Sequence, residues 1–142
     1  MTRFSGPDDS PGFLLWRVTL AWQRAMRAAL APHDLTHVQF VLLASLWWLG
    51  EHGGAPSQQR LAEHAGTDPM MTSQVLRKLA DRGLVSRSVD PADSRARLLE
   101  LTPEGTALVG TAMKDVEDAD QAYFAGLGDE QRAFVRGLTR LL

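Results

Sequence analysis

The sequence predicts a mainly helical fold with one small β-hairpin (α+β), in which two short helices meet at a tight turn, the hairpin follows, and longer helices flank the whole. Three observations carry this. A helix stop at Gly66 is followed at once by a helix start at Asp68-Pro69, where proline at the first helical position sacrifices no hydrogen bond. Two short strand-like segments, Leu84–Val89 and Arg97–Leu101, bracket the polar stretch Asp90–Ala96, which reads as a seven-residue hairpin tip. Cap signals at Thr36-x-x-Gln39 and Thr102-Pro103-Glu104 open further helices.

From the beginning of the chain, Phe13 to about Ala31 places Leu15, Val18, Trp22, Met26 and Leu30 at three- and four-residue spacing, an amphipathic helix ended by Pro32. Thr36 and Gln39 form a capping box in which each side chain satisfies the other residue's orphan amide. That helix runs through Phe40, Leu43, Leu46 and Trp47 to Gly50, and Glu51–Pro56 reads as loop. Ser57 caps a short helix with Leu61, Ala62 and Ala65 inward. After Asp68 the next helix sets Thr72, Val75, Leu76 and Leu79 on one face and ends at Gly83. At about 100° per residue the opposite face is Met70, Ser73, Gln74 and Arg77, with Lys78 on its flank. A long helix from Thr102 to about Phe124 carries Leu108, Ala112, Val116 and Ala119, and the last segment, Asp129–Leu142, carries Phe134, Leu138 and Leu141. The expected division is an N-terminal helix at 1–32, a central unit at 33–105 and C-terminal helices at 106–142.

Composition removes several function classes. The chain has 142 residues, 44% apolar and 23% charged, as in an ordinary soluble globule. No apolar run approaches the ~18 residues of a membrane span, and Met1–Gly12 lacks a secretory pattern, so no membrane partner and a cytoplasmic location are expected. With no cysteine there is no thiolate nucleophile and no thiol switch. There is no phosphate-cradling Gly-rich loop, Ser73 has no neighbouring base to activate it, and Asp115, Glu117, Asp118 and Asp120 read as a solvated helix face. An enzyme is not expected, nor a cofactor. His33-x-x-x-His37 has ligand spacing but crosses the helix start at Thr36, so no metal is expected and the histidines read as solvated.

Net charge is −2, yet its distribution is uneven. Gln74–Arg97 holds six cations (Arg77, Lys78, Arg82, Arg87, Arg95, Arg97) against three acids, whereas Thr106–Leu142 holds four against six. The basic side chains therefore gather on the second short helix and the hairpin, where arginine's planar fork suits phosphates and base edges.

Helix, turn, helix and charged hairpin make a winged helix. Within it, Leu61-Ala-Glu-His-Ala-Gly66, Leu79-Ala-Asp-Arg-Gly-Leu-Val85, Arg87, Asp90-Pro91, Asp93-x-Arg95 and Leu101-Thr102-x-x-Gly105, preceded by Asp34-Leu-Thr-x-x-Gln39-Phe, closely resemble the MarR family of bacterial transcription regulators. The resemblance implies a homodimeric repressor on double-stranded DNA with a pseudo-palindromic operator, its recognition helix at about 69–82 in the major groove and its wing at about 90–96 in the minor groove. Candidate DNA contacts are Met70, Ser73, Gln74, Arg77, Lys78, Arg87, Arg95 and Arg97; Gln74 and Arg77 carry the forked groups that read adenine and guanine. A salt bridge from Arg87 or Arg97 to Asp90 or Asp93 is the competing role for those two arginines.

Arg95 is the residue that the family's pattern sends into the minor groove, and Asp93 orients the wing. Ser94 stands where many relatives carry a second cation, and Met70 and Met71 are bulkier and less polar than is usual. Relatives often release DNA on meeting a small aromatic or phenolic acid, a metal or an oxidant. With cysteine absent, an organic effector would be lined by Trp16, His37 and Phe40 between the first two helices, and packing in the core or a dimer interface is the competing role for Trp16, Trp22, Trp47 and Trp48. The alternative is a winged helix used for protein docking or DNA architecture, with no effector.

Overall fold

The computed structural model describes residues 1–142. Its helices are α1 (Pro11–Leu30), α2 (His37–Glu51), α3 (Gln58–Ala65), α4 (Pro69–Asp81), α5 (Pro103–Phe124) and α6 (Gln131–Leu141), with strands β1 (Val85–Asp90) and β2 (Asp93–Leu101) between α4 and α5. The architecture is the expected winged helix-turn-helix flanked by helices. Helix starts follow the local chemistry: Thr36, Ser57, Asp68 and Thr102 each accept the amide three residues on, and Thr36 with Gln39 completes the capping box. α1 begins at Pro11 rather than Phe13, because Ser10 supplies a cap.

Left-handed glycines shape both ends of α4. Gly66 (φ 72°) turns the chain out of α3, and Gly83 (φ 73°) turns it from α4 into β1. Between α3 and α4 the buried Thr72 hydroxyl donates to the Asp68 carbonyl at 2.8 Å and lies 2.6 Å from the Thr67 hydroxyl, so the turn closes with its polar groups satisfied.

The hairpin differs from expectation. β1 and β2 pair antiparallel from Val85↔Leu101 to Val89↔Arg97, and pairing then resumes at Asp90↔Asp93. The tip is therefore Pro91-Ala92, while Ser94, Arg95 and Ala96 form a bulge with nothing opposite them. The physical reason lies in the two aspartates: Asp90 Oδ1 accepts the Ala92 amide at 2.9 Å and Asp93 Oδ1 the Arg95 amide at 3.0 Å, replacing ladder bonds with side-chain ones. The supposed loop Glu51–Pro56 also ends in pairing, since the Leu99 amide donates to the Pro56 carbonyl at 2.9 Å and Ser57 bridges Leu98.

One core joins α1 to α5 and the hairpin. Met26 and Leu30 of α1 and Val109, Ala112 and Val116 of α5 join Phe40, Leu43 and Leu46 of α2, Leu76 and Leu79 of α4, and Leu99 of β2 in a single buried cluster. α2 is its axle: Leu42 and Leu49 are buried as well, so the helix is apolar around most of its circumference. Trp47 lies outside this core and is exposed, as are Leu15 and Val18 of the expected α1 stripe. α6 buries no residue. No helix is long and apolar enough to cross a membrane.

Candidate nucleic-acid interface

α4 is held by its inner face. Thr72, Leu76 and Leu79 are buried, Ser73 is half-buried, and Gln74, Arg77 and Lys78 are exposed. Neither Arg77 nor Lys78 joins an ion pair, so both charges are free for an anionic partner. Arg82 is different. Its guanidinium donates to the Asp34 carbonyl at 2.8 Å, lies 3.5 Å from Gln39 Oε1 and 3.8 Å from the Asp34 carboxylate. This third of the six cations in the basic stretch ties the end of α4 to the α1–α2 turn.

On the wing, the Arg95 side chain is 93% exposed. Asp93 accepts the Arg95 amide and also lies 3.7 Å from its Nε, gripping the residue at backbone and side chain together. Arg97 is exposed and folds back along its own strand, donating to the carbonyls of Ser94 at 3.3 Å and Ala96 at 3.2 Å, so it braces the bulge that presents Arg95. Arg87 is exposed on β1 and pairs with no acid. The salt bridge to Asp93 thus falls to Arg95, not to Arg87 or Arg97.

The expected effector residues are dispersed. His37 is half-buried at the start of α2, its ring edge-on to Trp22 at 5.1 Å. Its pKa is lowered, first by burial and then by the positive charge of Arg27. Phe40 lies in the core at 6% exposure, and Trp16 is 62% exposed, ~9 Å before Trp22 on α1.

Sequence reasoning missed the bonds that lock this junction. Trp22 Nε1 donates to Asp120 Oδ1 at 2.7 Å, and His33 Nε2 lies 2.6 Å from Asp115 Oδ2. The carboxylates read as a solvated face are thus partly structural, as is His33. No local signal marks these pairs; α5 must first pack along α1.

Residues 35–96 match the MarR family. The chain is 47% identical over 141 residues to an uncharacterized HTH-type transcriptional regulator, YdcH, of Bacillus subtilis, covering 99% of this chain and 95% of that protein. It is 38% identical to the HTH-type transcriptional repressor Rv2887 of Mycobacterium tuberculosis, covering 94% and 95%. Among solved structures it resembles Bordetella bronchiseptica BpsR, whose DNA binding is regulated by 6-hydroxynicotinic acid, with TM-score 0.84, 31% identity and coverage of 99% and 95%.

Proposed function

Since the chain belongs to the MarR family of DNA-binding transcription regulators, which are not enzymes, we propose that it is a homodimeric, sequence-specific repressor whose grip on DNA is relieved by a small ligand. The observation that carries this reading is the exposed stripe of α4 with its unpaired Arg77 and Lys78, set beside a wing that holds Arg95 out into solvent. Gln74 and Arg77 read base edges in the major groove, Arg95 enters the minor groove, and Lys78 and Arg87 meet phosphates. The relative Rv2887, a repressor, supports the sign of the output.

The dimer covers what a monomer leaves open. A groove of about 720 Å³ between the first turns of α1 and the later turns of α6 is lined by Leu14, Leu15, Val18, Phe134 and Leu138. A second copy seated there buries it and sets two recognition helices one DNA turn apart, ~34 Å. The effector is a small aromatic or phenolic acid at the α1–α2 junction, where Arg27 supplies positive charge beside His37. BpsR, regulated by an aromatic acid, supports that class.

The test is selection from a random duplex library, then salt-dependent binding of the selected duplex by wild type and Arg95→Ala. An enriched pseudo-palindrome, a steep salt slope and a marked loss in the variant are expected. Weak binding without enrichment would overturn the reading in favour of a docking or architectural module.

A further inference from the structure

Along the outer face of α4, side-chain hydrogen-bonding groups begin only at Ser73. The first turn before it is Pro69-Met70-Met71-Thr72, which sends no polar side chain outward. Proline has no amide hydrogen, the Met71 amide donates to the Asp68 carboxylate at 2.9 Å, and the Thr72 hydroxyl is buried on the Asp68 carbonyl. What the turn offers outward is two thioethers, Met70 at 71% and Met71 at 38% exposure. Met70 lies four residues before Gln74 and seven before Arg77, in the same stripe, while Met71 lies to the side above Lys78.

A scattered exposed apolar residue needs no explanation, but position makes this one different. The leading turn of a recognition helix is the part that meets base edges. A thioether has no proton to donate and accepts only weakly, so it cannot choose among bases by hydrogen bonding. The apolar group displayed in the major groove is the thymine C5-methyl. Methionine's unbranched, three-bond chain adapts its methyl to such a contact without demanding one rotamer.

Resting on the DNA-binding reading of α4, we propose that Met70 reads the C5-methyl of a thymine in each half-site. Operator choice under the first turn then depends on a methyl group, and hydrogen-bonded readout starts one turn later with Ser73, Gln74 and Arg77.

The experiment changes the DNA rather than the protein. In the selected duplex each thymine of the half-sites is replaced in turn by uracil, which keeps the hydrogen-bonding edge and lacks the methyl. One position per half-site loses about fourfold in affinity, and both together roughly fifteenfold, the value of burying one methyl and two. Met70→Ala binds the thymine and uracil duplexes alike, whereas Met70→Leu still distinguishes them. Equal binding of every uracil duplex by a wild type that does select a sequence overturns the role of Met70 alone, as does a Met70→Ala variant that still discriminates. Absence of any selected sequence overturns the DNA reading beneath it.

Discussion

The α-carbon of Gly105 rests against the carbonyl of Leu84 so closely that a β-carbon there would lie 2.0 Å from the oxygen. The same junction is drawn tight by Thr102, whose hydroxyl donates to the Gly83 carbonyl at 2.6 Å and accepts the Gly105 amide at 3.0 Å. The first turn of α5 is thereby latched to the segment between α4 and the hairpin. Gly105→Ala is expected to lose about 3 kcal/mol, because the clash is with backbone that cannot rotate away. Calorimetry should record a melting temperature lower by about 6–12 °C; an unchanged one would show that the latch opens freely.

Asp93 sets electrostatics against geometry. Removing a carboxylate beside phosphate should strengthen DNA binding if charge alone mattered, but Asp93 also holds the Arg95 amide at 3.0 Å. Asp93→Ala is expected to weaken operator binding by about 1 kcal/mol, roughly fivefold, while Asp93→Asn keeps the accepting oxygen and the affinity. Tighter binding by the alanine variant would reduce Asp93 to a repulsive charge.

Arg82 and Arg95 should separate in a salt titration. Arg82 is occupied by the Asp34 carbonyl at 2.8 Å, so Arg82→Ala costs about 1 kcal/mol of folding stability and leaves the salt slope of DNA binding unchanged. Arg95→Ala leaves stability unchanged and lowers the slope by about one per engaged wing. The reverse pattern would exchange their roles.

His37 makes stability depend on pH. Burial and Arg27 lower its pKa below the ordinary value of 6.5, so the unfolded chain binds the proton more readily. The stability contributed by the neutral ring is complete above about pH 6.5 and is lost as pH falls toward the folded-state pKa. Thermal melts from pH 7.5 to 5.5 should show wild type losing more than His37→Gln; parallel losses would remove His37 as the cause.

Leu138 is 39% exposed in the α1–α6 groove, on a helix that buries nothing. Leu138→Glu is expected to keep its circular dichroism, sediment as a monomer, and bind the operator at least about 100-fold more weakly because the second half-site no longer binds intramolecularly. A variant that remains dimeric would place the interface elsewhere.

Much of the fold was readable in the chain because its signals are local. Thr36, Ser57, Asp68 and Thr102 each cap an amide three residues away, and the outward stripe Met70, Gln74, Arg77 follows from helical period alone. The wing was less readable: strand propensity located its sides, but the register jump after Val89 depends on which aspartate oxygen meets which amide. The apolar spacing of α1 and α6 is legible in the chain, whereas which of their turns stay open emerged only when the core was filled from Trp22 onward.

Side-chain fates were the province of the tertiary structure. Arg82 and Arg95 are the same residue type in one basic stretch, yet packing delivers one to Asp34 and leaves the other in solvent. Trp22 reaches Asp120 across 98 positions and His33 reaches Asp115 across 82. A bond spanning three residues is set by backbone geometry that the same few residues dictate; one spanning most of the chain exists only after the apolar faces of separate helices have met, and no local pattern encodes which polar atoms that meeting will bring within reach.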